Sequence, residues 1–545
     1  MRLTRFTRAM LAVALCAALA PAAALADGLV TENGALPVVS EPYTITMLGT
    51  YHGASTAPLK QNRFTTMYEE LTGVTLDIQY DLSTDEFSEK FNAILASGDY
   101  PEMFVGDTLS KSQMIELGHQ GIVQPLEEYI DQYSIHLKGA MEENPWMREG
   151  ITDPDTGHIY GLPASEVDYE HQVWSKIFVY QPWLDKLGLE VPETTEELKR
   201  LLIAFRDQDP NGNGEADEMP LAFDTTSWDR TYWQSLINPF IYWNDSGASG
   251  VYLQNVDGTA VFNANKEGYR DAIRWIAELY SEKLFPSDVF TGITATGFTI
   301  VEPNQLGASI GHFMGMFTTE GPRRNEFVIV PPLTGPDGER NANYRFVNPS
   351  INLVITDKMK DPEVAVRWAD WFYTTEGTIT AFYGLKDVAW RDSPVEGLGF
   401  SGYPMIYEQL DIAEFGDLND FAWQWTAPQF RSRAVREGMY LSDEQFLKNY
   451  DAQMIIMMEK AYGQTGGFEP EKSFPNIILG EEDDRRASEL LTPIQDLIKS
   501  TFADMVLGRQ SPDTDWDRYV ARLDAMGIDE YTAIYQRALD KVLRK

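Results

Sequence analysis

Between Tyr43 and Asp107 the chain alternates short apolar runs with helical spacing, and that order narrows the choice of fold more than any other feature. YTITMLGT (Tyr43 to Thr50) reads as a buried strand, and Phe64, Met67 and Leu71 form a helical stripe. TLDIQYD (Thr75 to Asp81) reads as a second strand, and Phe87, Phe91, Ile94 and Leu95 mark a second helix that halts at Gly98-Asp99-Tyr100-Pro101. MFVGD (Met103 to Asp107) closes the series as a third strand. Strand, helix, strand, helix, strand predicts a parallel sheet with right-handed crossovers and helices on its faces. Such a sheet offers its ligand-facing loops at the carboxyl ends of the strands, which here are Tyr51, His52 and the Gly53 to Pro58 loop, and Asp107. An ordinary exposed loop histidine accounts for His52 equally well.

Further helices are expected at Glu196 to Arg206, Lys266 to Lys283 and Pro362 to Tyr373, the first opened by a capping box, Thr194 to Glu197. With 545 residues, 43% of them hydrophobic, the chain can bury two or three compact lobes. No fixed-period repeat appears, which argues against solenoids and propellers.

Arg2, Arg5 and Arg8 precede an apolar run from Ala9 to Ala26 that ends in Ala24-Leu25-Ala26, the pattern of a secretory signal cleaved after residue 26. A retained anchor or a lipoprotein signal on Cys16 are the competing readings, but Leu15 stands where a lipidation site needs a small residue. The expected product is exported and soluble. Cys16 is the only cysteine and would leave with the signal, so no disulfide, thiolate metal site or cysteine nucleophile is expected.

Formal charge is −39, and loss of the three signal arginines would take it to −42. No basic cluster is present to neutralise phosphates, so nucleic acid and anionic lipid are poor partners. Gly307-Ala308-Ser309-Ile310-Gly311 matches the turn that exposes a nucleophilic serine in α/β-hydrolases, yet the sole histidine beyond it, His312, is too close in sequence to return as the base. The six histidines show no paired metal spacing, and no phosphate-binding glycine loop is present. An Asp/Glu pair for glycoside hydrolysis stays open, because 83 acidic residues always place some pair at a plausible distance.

DPNGNGEADEMP (Asp209 to Pro220) supplies oxygen donors at alternating positions with a glycine at the sharp turn: Asp209, Asn211, Asn213, Gly214 and Asp217, with the Glu215 carbonyl in the seventh place. Pro220 occupies the position of the usual bidentate glutamate, and Glu218 can complete the shell instead. The composition also suits a plain solvated turn after the helix carrying Phe205. The register of donors and glycine favours calcium.

Several stretches resemble the family 1 extracellular solute-binding proteins of ABC importers, in the long branch containing alginate-oligosaccharide-binding proteins and LplA-type sugar lipoproteins. They are PEMFVGD (Pro101 to Asp107), GIVQPLEEYI (Gly121 to Ile130), GHIYGLP (Gly157 to Pro163), the segment Pro182 to Leu221 around the acidic loop, and Thr501 to Ile528. The resemblance implies a two-lobed α/β fold of the type II periplasmic-binding kind, with ligand enclosed by hinge closure and handed to a membrane permease. It implies a first lobe of about residues 43–161 and 350–383, and a second of 162–349 and 384–545 with a helical tail. The crossings would be GHIYGLP, RFVNPSINLVIT (Arg345 to Thr356) and the chain from Tyr383 to Trp390. It also implies a structural calcium held by Asp209, Asn211, Asn213, Glu215, Asp217 and Glu218, away from the cleft, in a monomer.

A sugar cleft needs flat rings against C–H faces and side chains that meet hydroxyls. Of the 13 tryptophans, Trp228, Trp233, Trp243, Trp390, Trp423 and Trp425 fall in irregular segments beside Asp, Asn, Gln or Arg. Trp228, Trp243 and Trp390 are the expected stacking residues, with Trp174, Arg391 and Asp107 in support. The expectation is an oligosaccharide-binding module. The alternative is a secreted carbohydrate-active enzyme using an Asp/Glu pair, and a peptide ligand is a lesser variant of the binding reading.

Overall fold

The computed structural model describes residues 28–543 except 53–56, 168–172, 174, 224–231, 245–250, 291–303, 313, 315–324, 345–348, 411–419, 443–444, 446–449, 464–467, 469–470 and 476. The strands among the described residues are β1 (Tyr43–Tyr51), β2 (Val74–Ser83), β3 (Met103–Leu109), β4 (Leu162–Glu166), β5 (Lys176–Tyr180), β6 (Met219–Phe223), β7 (Leu253–Val256), β8 (Thr259–Phe262), β9 (Leu306–Gly311), β10 (Phe327–Ile329), β11 (Ser350–Ile355), β12 (Trp390–Asp392), β13 (Tyr407–Gln409), β14 (Phe430–Arg431) and β15 (Met439–Tyr440).

Six of them form the first sheet in the order β14-β4-β11-β3-β1-β2. β1 runs parallel to both β2 and β3, as the apolar runs predict, and β11 joins antiparallel between β3 and β4. The helices Arg63–Thr72 and Thr84–Ser97 supply the crossovers. Each stops at a glycine in the left-handed region, Gly73 and Gly98. Connecting β1 to β2 on one side and to β3 on the other places a topological switch point between the carboxyl ends of β1 and β3. Backbone approach there is close: Gly106 has φ +123°, and a Cβ on it would stand 2.9 Å from the Thr50 carbonyl oxygen.

The first core packs Ile45, Met47, Phe104, Val105, Leu353, Trp368 and Phe372 around this sheet. It draws on more chain than the two expected segments, since Val38, Val39, Trp423 and Ala427 also pack into it. Trp423 sits among Phe64, Trp368 and Phe372 and donates its indole N–H to Thr65 Oγ1 at 3.0 Å. Burying a ring of this size with its polar group satisfied contributes several kcal/mol.

A second sheet, β10-β5-β9-β6, carries the second core together with the helices Thr195–Asp207, Glu267–Ser281, Glu481–Val506, Trp516–Ala525 and Ile528–Leu543. The Thr194–Glu197 capping box forms as its spacing predicts. Ser309 lies inside β9 and is fully buried, with its hydroxyl 3.2 Å from Met314 Sδ, so the G-x-S-x-G sequence is strand interior and not a nucleophile turn. A small third cluster (Phe382, Tyr383, Trp390, Tyr407, Val435, Met439) surrounds the sheet β12-β13-β15, which sequence patterning does not announce. Among the described residues no helix is long and apolar enough to cross a membrane.

Candidate binding site

Four chain segments converge at the carboxyl ends of the first sheet. β1 ends in Tyr51, which is half-buried, and exposed His52 follows it. Burial, and then the negative charges of Glu86 and Asp81, push the Tyr51 phenol above its ordinary value, so it stays a neutral donor and acceptor. β4 ends in Glu166, and β14, paired parallel to it, ends in Arg431. The fourth segment, Phe421 to Ala427, lies across the end of β1, where Thr426 Oγ1 donates to the Thr50 carbonyl at 2.9 Å.

This last segment has one tryptophan inward and one outward. A turn closes from 423 to 426, with the amides of Thr426 and Ala427 both donating to the Trp423 carbonyl at 2.9 and 3.0 Å. Asn352 Nδ2 donates to the Trp425 carbonyl at 2.8 Å. Trp423 is thereby sunk in the core and Trp425 is left 41% exposed. Behind Trp425 the support is rigid, because the Phe382 ring meets it edge-on and the Arg431 guanidinium lies 3.4 Å over the Phe382 centroid. Arg431, itself buried, is hydrogen-bonded to Glu166, whose side chain is 18% exposed. An indole face on a buried plinth, beside a carboxylate that accepts from hydroxyls, has the chemistry to hold a ring with an apolar face and a polar rim.

The sequence-predicted residues distribute unevenly. Tyr51 and His52 stand at the end of β1, and Asp107 lies in β3 at the switch point. Trp174 and Trp228 lie outside the described residues. Trp243 is a correction: it is 2% exposed, stacked on Tyr269 with centroids 4.3 Å apart and met edge-on by Tyr252, so it has no free face for a ligand. Trp390 is corrected for the same reason, being 2% exposed against Tyr407 with the Lys386 ammonium over its ring. Trp233 is half-buried and stacks on Phe290 and against Phe502 in the second core. Arg391 is exposed, and Glu408 holds its guanidinium at 2.7 Å. Arg431 and Glu166 are not singled out by sequence reasoning, and Trp425 is named there among the tryptophans of irregular segments without being favoured for stacking. The available signal is Trp423-Gln424-Trp425, a tryptophan pair in a segment with no helical or strand period.

The acidic loop links the helix Thr195–Asp207 to β6. Its backbone forms a tight turn: Asp209 carboxylate oxygens accept from the Gly212 and Gly214 amides at 2.8 and 3.1 Å, and Gly212 and Gly214 have φ near +78° and +79°. Asn211 and Asn213 both turn amide donors onto Asp217, at 2.8 to 3.1 Å, and Gln305 donates to it at 2.6 Å. Those donors, Gln305 first, hold the Asp217 carboxyl below its usual range. Glu218 is displaced the other way, by burial and then by Asp209 and Asp217, and its Oε1 is buried with no hydrogen-bond partner among the described residues.

Among the described residues no three His, Cys, Asp or Glu side chains form a group able to hold a metal. A cation here would therefore depend on mixed oxygens: Asp209, Asp217 and Glu218 carboxylates, the Asn211 and Asn213 amide oxygens brought round by a terminal torsion, and the exposed Glu215 through its carbonyl. The donor set is all oxygen, and the unpartnered Glu218 oxygen stands where a positive charge relieves it, so the residues fit a hard cation.

Comparison with known proteins agrees with this architecture. The fructooligosaccharide ABC transporter substrate-binding protein FusA of Streptococcus pneumoniae serotype 4 is 26% identical over 491 residues, covering 87% of this chain and 86% of the relative. Of solved structures, a human-milk-oligosaccharide (HMO) binding, ABC-transporter-associated solute-binding protein from Bifidobacterium longum infantis superposes with a TM-score of 0.76 at 20% identity, covering 92% of this chain and 99% of that one. An EF-hand mutant of FusA from S. pneumoniae in complex with fructo-nystose gives 0.69 at 22%, with the same coverage. The family described as bacterial extracellular solute-binding protein matches residues 52–379, and the chain belongs to that family.

Proposed function

We propose that this protein captures an oligosaccharide between its two lobes outside the cytoplasmic membrane and delivers it, chemically unchanged, to the permease of an ABC importer. The observation that carries the reading is the exposed Trp425 indole, fixed from behind by Phe382 and Arg431 and flanked by Glu166 at the carboxyl ends of the first sheet. Sugar rings are the ligands for which a flat apolar face beside a hydroxyl acceptor is built. The FusA relative, a fructooligosaccharide transporter's substrate-binding protein, and the HMO binding Bifidobacterium neighbour support the same ligand class. Tyr51, His52 and Asp107 are proposed to serve the ligand from the ends of β1 and β3, and Trp174 and Trp228 are proposed as further ligand contacts.

The loop from Asp209 to Glu218 is proposed to hold a structural calcium ion, through Asp209, Asn211, Asn213, the Glu215 carbonyl, Asp217 and Glu218. Support comes from its all-oxygen donor set and from the EF-hand named in the FusA structure. Calcium there braces the join of helix and β6. Residues 1–26 are proposed to direct export, and the working unit is proposed to be a monomer.

Calorimetric titration with fructo-oligosaccharides and milk-type oligosaccharides, followed by chromatography of the recovered sugar, tests the reading. Saturable binding with intact sugar is expected. Hydrolysed product, or no binding by any carbohydrate in a broad panel, overturns it.

A further inference from the structure

Away from the ligand-facing strand ends, the helix Lys111–His119 of the first lobe lies along the start of the helix Glu481–Val506 of the second. His119 stands there between two carboxylates. Its Nε2 is 2.9 Å from Asp153 Oδ2 and its Nδ1 is 2.7 Å from Glu481 Oε2. Asp153 has a fully buried side chain and belongs to the first lobe, and Glu481 opens the long helix of the second. A neutral imidazole has a single N–H, and an ionised carboxylate can only accept. Both contacts form together only when both ring nitrogens carry protons; a neutral ring turns a lone pair onto one of the carboxylates.

The surroundings reinforce this. The Asp155 amide donates to Asp153 at 2.9 Å, and Asp155 Oδ2 in turn accepts from the Glu481 amide at 3.3 Å, an anion at a helix start. Gly480 permits that approach, since a Cβ there would stand 2.6 Å from Asp155 Oδ1. The crevice beside the contact is lined by Ser112, Ile115 and Glu116 from the first lobe and Leu479, Glu481, Asp484 and Arg485 from the second. The Tyr160 ring presents against both His119 and His158, and His158 is occupied by Glu127. Acidic groups outnumber Arg485, so the local field favours a protonated ring. The hydrogen bonds to Glu481, then to Asp153, raise the His119 pKa from its ordinary value.

We infer that His119 is a proton-operated joint between the lobes: charged, it ties buried Asp153 to the first turn of the long helix, and neutral, it releases that turn and frees the lobes to move about this point. The joint works whatever the cleft binds, so it stands apart from the carbohydrate reading. Because the bound proton is favoured by the fold, the tie is complete below the ordinary histidine value and is lost as pH rises through the raised one.

Hydrogen exchange read by mass spectrometry on the unliganded full chain, from about pH 5.5 to about pH 9 and corrected for intrinsic rates, tests it. In the wild type, amides of residues 480–484 are expected to lose about tenfold in protection as the ring deprotonates. His119→Gln, which reaches one carboxylate at a time, is expected to show the low protection at every pH. Glu481→Ala, a change at an exposed position, is expected to remove the pH step in residues 480–484 while residues 153–157 stay protected. A wild-type protein with pH-independent protection, or a step that persists in Glu481→Ala, overturns the inference.

Discussion

The indole of Trp425 meets the ring of Phe382 edge-on, with centroids 5.1 Å apart and planes at 88°, so one residue's edge buttresses the other's exposed face. An aromatic held this way keeps its orientation before a ligand arrives, and little rotamer entropy remains to be lost on binding.

Replacing Trp425 by alanine is expected to weaken oligosaccharide binding by about 1–2 kcal/mol, roughly five- to thirtyfold in Kd, while the unliganded melting temperature stays near wild type. Isothermal titration beside a thermal melt decides it. A large loss of unliganded stability would return Trp425 to a packing role.

Trp423→Ala is the contrasting case. The ring is fully buried among Phe64, Trp368 and Phe372, so a stability loss of about 3–5 kcal/mol is expected in denaturant unfolding. Any ligand effect should follow only from unfolding.

Arg431 is a buried cation hydrogen-bonded to Glu166, so changing one member of the pair removes a charge partner from the other. Arg431→Met is expected to cost about 3–5 kcal/mol, and the double change Arg431→Met with Glu166→Gln to recover much of it. A double-mutant cycle measured by chemical denaturation gives the coupling directly.

Chelation should lower the melting temperature and re-addition of calcium restore it, by about 2.7 kcal/mol at a hundredfold excess over Kd. Asp217→Ala is expected to abolish that response because Asp217 is where Asn211, Asn213 and Gln305 meet. Identical melts with and without chelator in the wild type would remove the cation from the loop.

Asp153 gives a pH dependence of defined sign. Burial opposes its ionisation, yet the Thr156 hydroxyl, the Asp155 amide and His119 together hold its carboxyl below the usual aspartate range. Its stabilisation is therefore present above the unfolded value and lost as pH falls through the lower folded one. Asp153→Asn is expected to melt earlier at neutral pH, by about 1–3 kcal/mol, with the two curves converging in acid.

How much of this is legible in the sequence depends on how locally each feature is determined. Strands β1 to β3 are short apolar runs punctuated by glycine and proline, so their existence and pairing follow from the chain itself. The turn of the acidic loop is legible too, because its Asp, Asn and Gly residues bond one another within ten residues and do not wait on tertiary structure. Ring exposure is a different kind of property. Trp243 is covered by Tyr269, 26 residues on, and Trp425 is turned outward by hydrogen bonds from Asn352 and around a turn that no composition signals. Polar neighbours in sequence report a segment's path over the surface, and which side of that path a ring takes is decided by distant partners.

The first core reaches from Val38 to Ala427. During synthesis its inner surface therefore stays unsealed until most of the polypeptide has left the ribosome, and the early strands wait for Trp423 to fill their remaining gap. A nascent chain that cannot finish its first lobe early is one that a translocation pore able to pass only unfolded polypeptide can still accept.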